Sequence, residues 1–117
     1  MKTGTDIVEN SRFIRAVTRN NGRLRERLFT PEELARNPGN LDLAVMFSAK
    51  ESVVKALGTG FDSSLSWHDI EICINGSDVK AHLSGRALEL AGNNKVLISA
   101  TGNRNTSLTF ALLTEGE

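Results

Sequence analysis

Within Ser48-Ala49-Lys50-Glu51-Ser52-Val53-Val54-Lys55-Ala56-Leu57-Gly58-Thr59-Gly60, the residues that could do chemistry are Glu51 and Lys55. A spacing of four puts both on one helix face, where a carboxylate and an ammonium ordinarily form a surface ion pair worth ~0.3–0.5 kcal/mol. The setting argues for more. The turns on either side look buried, a glycine pair follows, and charges among buried residues are rare unless paired or functional. Gly4-Thr5-Asp6 offers a second carboxylate, which in isolation reads as a turn or cap. Arg12, Arg15, Arg19, Arg23, Arg25 and Arg27, six of the nine arginines, lie in one stretch opposed only by Glu26. Such a face is either a solvated helix surface or a dock for something acidic. His68 and His82 fall among exposed-type residues and read as solvent-facing, and Cys73 reads as a partly buried small side chain rather than a nucleophile. No phosphate-binding glycine loop, Ser-His-Asp order or histidine pair is present.

The elements that position these residues follow from periodicity. Ile7 and Val8 belong to a short strand; Asn10 or Ser11 would cap a helix with Phe13, Ile14 and Val17 on one face and Arg12, Arg15 and Arg19 on another. Leu24 and Leu28 continue an apolar stripe past Gly22, so this helix is expected in two parts. Thr30-Pro31-Glu32-Glu33 is a capping box with proline in the first turn, and Asn37-Pro38-Gly39-Asn40 is a turn. Leu41 to Leu57 is the longest helix, stopped by Gly58. From Trp67 the period becomes two: a strand through Ile74, a turn at Asn75-Gly76, and a return strand through Leu83. A short helix over Ser84 to Ala91 precedes two more strands, Lys95 to Thr101 and Thr106 to Leu113. Helices early and antiparallel strands late make an α+β domain.

The chain has 117 residues, which fits one domain, 1–117, able to bury roughly two thirds of its unfolded surface. One cysteine excludes an internal disulfide framework. No apolar run approaches the ~20 residues that span a bilayer, and Met1 to Asp6 lacks a signal-peptide core, so a cytoplasmic protein with no membrane partner is expected. Fourteen basic residues balance fourteen acidic ones, which disfavours a globally basic nucleic-acid binder. Aromatics make up 5% of the chain, there is no tyrosine, and none interleaves the arginines as a stacking platform, so RNA binding is a poor reading and no nucleic-acid partner is expected.

Taken in order, Gly4-Thr5-Asp6-Ile7-Val8-Glu9, Arg12, Phe29-Thr30-x-x-Glu33-Leu34, the Phe47 to Gly60 run and Trp67-His68-Asp69-Ile70-Glu71-Ile72 resemble a holo-acyl-carrier-protein synthase of the small trimeric type. The resemblance implies a 4′-phosphopantetheinyl transferase-like fold, an antiparallel sheet wrapped around a long buried helix. It implies transfer of 4′-phosphopantetheine from coenzyme A to a serine of an apo acyl carrier protein, with release of 3′,5′-ADP. Mg²⁺ would be the metal, held by Asp6 and Glu51, because this hard ion favours one or two carboxylates plus phosphate oxygens. Asp6, Glu51 and Lys55 would be catalytic, with Lys50, Lys55, Gly58, Gly60, Ser99 and Thr101 binding coenzyme A. Arg12, Arg15, Arg19 and Arg23 would bind the acidic carrier protein, an attraction that weakens with salt. A homotrimer is implied as well, its sheet needing cover at Leu108, Phe110 and Leu112.

Two positions depart from the family pattern: Met46 stands where an arginine is usual, and Gly102 where a histidine is. Both family residues are expected near the coenzyme's 3′-phosphate, a charge that Arg104 or Lys95 would then have to meet. The usual Gly-Lys-Pro turn is also altered, to Gly76-Ser77-Asp78. The rival expectation is a non-catalytic module that binds carrier proteins or a nucleotide. Joint presence of Asp6, Glu51 and Lys55 argues against it, since a mere binder has no need of a metal site.

Overall fold

The computed structural model describes residues 1–60 and 64–116. Its organising element is helix α4 (Asn40–Leu57), buried along most of its length through Leu43, Ala44, Met46, Ala49, Val53, Val54, Ala56 and Leu57. Gly58 ends it at φ 80°, a left-handed stop whose amide turns back on the Lys55 carbonyl at 3.1 Å. Strand β1 (Lys2–Glu9) runs across this helix and pairs with β5 (Thr106–Thr114), which pairs in turn with β4 (Lys95–Gly102). All pairings are antiparallel. A separate hairpin, β2 (Ile70–Asn75) and β3 (Asp78–Leu83), packs on another side of α4. The layout is the expected antiparallel sheet around one long buried helix, with the strands divided between a three-stranded sheet and a hairpin.

Close approach of β1 to α4 depends on Gly4. A Cβ at that position would be driven into the Ser52 carbonyl oxygen and would lie 2.7 Å from the Ala56 amide nitrogen. Backbone cannot retreat as a flexible side chain can, so only glycine fits. Hydroxyl groups fill the rest of the contact. Thr109 Oγ1 on β5 meets Ser48 Oγ at 2.8 Å and Ser52 Oγ at 2.6 Å, and Ser48 also reaches the Asp6 carbonyl at 3.3 Å.

The arginine segment is helix α1 (Asn10–Thr18), a tight turn at Asn20–Gly22, and helix α2 (Arg23–Leu28), the two-part arrangement expected from Gly22. Short helix α3 (Pro31–Ala35) opens with the expected capping box. Helix α5 (Gly85–Ala91) buries Ala87 and Ala91.

Four expectations need correction. Asn10 does not cap α1: the cap position is Glu9, without a side-chain bond, while Asn10 is itself helical and 1% exposed. Trp67–Asp69 is a single tight helical turn rather than the start of a strand, because Ser66 and Asp69 satisfy each other's amides in a second capping box. Cys73 is exposed, on the outer side of an edge hairpin. The first strand spans eight residues, since β5 offers it a full-length partner.

Candidate active site

Asp6 lies opposite Thr109 in the sheet, on the face turned toward α4. Lys55, one turn from the end of α4, donates to the Thr5 carbonyl at 2.9 Å and to Asp6 Oδ1 at 3.1 Å. The i, i+4 ion pair expected between Glu51 and Lys55 is thus replaced by a cross-element pair between Lys55 and Asp6. The Asp6 side chain is 14% exposed and its Oδ2 is buried with no donor. Glu51 is half-buried beside it, and its carboxyl is pushed above its ordinary value of 4.5. Burial is the larger cause and the Asp6 charge the next, with Lys55 pulling the other way.

These facts test whether the residues suit a cation. One acceptor oxygen is orphaned in the interior, and a second carboxylate is held against its own charge preference nearby. A single lysine answers only Oδ1. That is an excess of negative charge and lone pairs which a small hard dication relieves. Among the described residues no group of three or more His, Cys, Asp and Glu is placed to hold a metal ion, so a cation here would have two carboxylates at most, a number that suits magnesium.

Lys50 adjoins Glu51 in sequence but points a third of a helical turn away, into the core. Its ammonium is wholly buried and donates to the Leu28 carbonyl at 2.7 Å, Glu33 Oε1 at 2.7 Å and the Trp67 carbonyl at 3.0 Å. All three protons are placed, so the expectation that Lys50 contacts coenzyme A is corrected: it is a structural cation. Burial lowers its pKa, and Glu33 pulls it back up. Glu33 is equally buried and accepts from the Thr30 amide at 2.8 Å and, through Oε2, from the Ile72 amide at 2.8 Å. The pair pins α3, the start of β2 and the end of α2 to the helix that carries Glu51.

Ser99 and Thr101 are exposed on β4, in register with Phe110 and Leu108. Strand alternation puts them on the sheet face opposite Asp6, with Thr5 and Ile7. A single chain therefore does not bring them to Glu51. Large apolar groups share that outer face: Ile7 is 70% exposed, Leu97 53%, Phe110 41% and Leu108 39%. Gly60 is exposed with open space around it. Met46 is buried, and Gly102 sits against the Thr106 and Ser107 backbone, where a Cβ has no room.

Arg12, Arg15, Arg19 and Arg23 are exposed along α1 and α2. Arg12 and Arg27 border a cavity of about 570 Å³ whose apolar wall includes Phe13, Leu24, Phe47 and Trp67. Phe47 stacks on Phe13 at 4.8 Å and on Trp67 at 5.4 Å, which fixes one wall as a continuous aromatic row. Sequence reasoning did not find this cavity or Arg27's place in it. Five elements build it, namely β1, α1, α2, α4 and the turn at Trp67, so no local spacing signals it.

The model of the 4′-phosphopantetheinyl transferase superfamily matches residues 2–107. The holo-[acyl-carrier-protein] synthase of Geotalea daltonii is 40% identical over 95% of both chains. That of Chlamydia felis is 35% identical over 93% of both. Among solved structures, the Neisseria meningitidis synthase superposes with a TM-score of 0.83 at 32% identity, covering 97% of this chain and 98% of that one. The Helicobacter pylori synthase in complex with coenzyme A shares the fold, with a TM-score of 0.85 at 24% identity over 96% and 99% of the two chains. With relatives this similar along nearly its whole length, the chain belongs to the 4′-phosphopantetheinyl transferase superfamily, as an enzyme of its holo-[acyl-carrier-protein] synthase family.

Proposed function

We propose that the enzyme moves 4′-phosphopantetheine from coenzyme A to a serine of an apo acyl carrier protein, releases 3′,5′-ADP, and depends on Mg²⁺ held by Asp6 and Glu51. The observation that carries this reading is the orphaned Asp6 Oδ2 beside a charge-strained Glu51, with the Lys55 ammonium at the same point. When bound, the metal neutralises the pyrophosphate and so eases attack at phosphorus. Glu51, half-buried beside Asp6, would accept the serine proton. The serine oxygen bonds to the phosphorus bearing the pantetheine arm, and the bond from that phosphorus to the ADP oxygen breaks. Lys55, half exposed and anchored through the Thr5 carbonyl, donates to the departing phosphate. Gly58 leaves the end of α4 open for the coenzyme to approach.

Arg12, Arg15, Arg19 and Arg23 receive the acidic carrier. The aromatic-walled cavity beside Arg12 adds an apolar component to that surface. A homotrimer accounts for two observations together. It covers the stripe of Ile7, Leu97, Leu108 and Phe110, and it lets Ser99 and Thr101 of one subunit serve coenzyme A bound at another's Glu51. The reaction is assigned to the cytoplasm, whose reducing conditions suit the exposed free Cys73. Among the described residues no helix is long and apolar enough to cross a membrane.

The test is intact-mass spectrometry of an apo acyl carrier protein incubated with the enzyme, coenzyme A and Mg²⁺. A gain of one phosphopantetheine, abolished by EDTA and by Glu51→Gln, is expected. No gain from folded enzyme across several carriers would overturn the reading in favour of a non-catalytic binding module.

A further inference from the structure

Asn10 is 1% exposed at the junction of β1 and α1, and every polar atom of its side chain is used. Its Nδ2 donates to the carbonyls of Asn103 at 3.0 Å and Arg104 at 3.1 Å, and its Oδ1 accepts from Ser107 Oγ at 2.8 Å. Its main-chain amide donates to the Asn105 carbonyl at 2.9 Å. Carbonyl oxygens only accept, so the amide can sit only one way round. Three of these bonds seize the turn between β4 and β5 and the fourth holds the start of β5, all more than ninety positions away in sequence. The turn has its own bracing, in which Asn103 Oδ1 accepts from the amides of Asn105 and Thr106, and among the described residues Asn10 supplies its hydrogen bonds to the arginine helix. Thr101, Gly102 and Asn103 border a cleft of about 400 Å³ that Asn10 and Ser107 also line. Two residues after Asn10 comes Arg12.

We propose that Asn10 is a positioning residue that locks the arginine-bearing helix α1 to the β4–β5 turn, so that the carrier-facing and coenzyme-facing surfaces are held as one unit. The inference rests on the transferase reading above, in which α1 receives the carrier and β4 receives coenzyme A. Buried amide bonds have fixed length and direction, so both surfaces inherit one reference point, and loosening it loosens both. The Asp6, Glu51 and Lys55 group hangs on different contacts, through Gly4, Thr109 and Ser48, and is left in place.

The experiment is steady-state transfer kinetics of Asn10→Leu and Ser107→Ala, varying each substrate in turn, well below the unfolding temperature of each variant. For Asn10→Leu, KM for carrier protein and KM for coenzyme A should both rise about tenfold, with kcat within about twofold of wild type. Ser107→Ala, which removes one of the three side-chain bonds, should show the same pattern at about threefold. It decides the matter if Asn10→Leu does not fold. A purely structural asparagine would lower the unfolding temperature and leave both KM values alone, which would overturn the inference. A rise in only one KM would overturn it too, since the two surfaces would then be independent. Wild-type enzyme that transfers nothing would instead remove the reading beneath it.

Discussion

Replacing Lys50 with methionine is the sharpest test of how the site is held. Methionine keeps most of the stem's volume but removes an ammonium that is completely buried and fully donated. Two groups are then stranded: the Glu33 carboxylate without its cation and the Leu28 carbonyl without that donor, while the Trp67 carbonyl keeps the Ile70 amide. Breaking a buried pair from one side costs ~3–5 kcal/mol. A domain of this size holds only ~5–15 kcal/mol in total, so a fifth or more of its stability goes. At ~4 °C per kcal/mol, Tm should fall by ~12–20 °C. Glu33→Gln in the Lys50→Met background should restore ~1–2 kcal/mol, because the stranded charge goes and the new amide can donate to one of the carbonyls. Urea unfolding followed by circular dichroism measures both variants, and transfer kinetics at low temperature measure KM for coenzyme A. If Lys50→Met keeps its Tm within ~2 °C and instead raises KM for coenzyme A, the ammonium's true partner is substrate and the structural assignment is wrong.

Glu51→Gln should abolish transfer yet stabilise the metal-free protein. The folded carboxyl titrates above 4.5, so the folded state binds more protons over the window just above that value, and stability falls as pH rises through it. Tm followed between acid and neutral pH in EDTA should decline less in the variant; parallel curves would refute the burial of that charge. Gly4→Ala should cost ~1–3 kcal/mol and at least tenfold in kcat, since its Cβ forces β1 off the α4 backbone and takes Asp6 with it. Chemical denaturation and transfer assays check the two halves, and an unchanged kcat would mean that Asp6 is placed by other contacts. Phe110→Arg puts a charge in the middle of the exposed apolar stripe and should dissociate the oligomer in sedimentation, with activity lost alongside. Unaltered sedimentation would show that this face is not an interface.

What could be read from the sequence was mostly what neighbours decide among themselves. Thr30 and Glu33 announce their capping box three residues apart, and the box is there. Leu41 to Leu57 carries enough apolar surface to be recognised as a buried helix, and the alternation after Ile70 fixes the hairpin. The Gly4-Thr5-Asp6 and Glu51-x-x-x-Lys55 pieces, and the meeting of Asp6 with Glu51, were legible through a resemblance, but the pairing of Lys55 with Asp6 was not. Lys55 finds Asp6 forty-nine residues away rather than Glu51 one turn away. Lys50 misled because adjacency in a motif hides the 100° that separates neighbours on a helix. Glu33 misled in a subtler way, since a satisfied local role concealed a second one as the buried counter-ion. Asn10 stands where local rules favour a cap, and its partners lie at the other end of the chain. Ser66 and Asp69 did carry a capping signal, which the alternation from Trp67 onward masked.

The pairing of β1 with β5 sets residues 2–9 against residues 106–113. Few loops in a protein of this size are longer to close, and such closures come late because the entropy is spent before any contact repays it. On a ribosome, the strand that carries Asp6 emerges before the long helix and before β5, and is among the last of these to find its place. Until Thr109 has been synthesised and released, there is no sheet partner to hold that aspartate over α4. A nascent chain, or one clipped before β5, can therefore form its long helix and its aromatic row while Asp6 has yet to be set beside Lys55. The Lys55–Asp6 pair thus reports that two strands about a hundred residues apart have met.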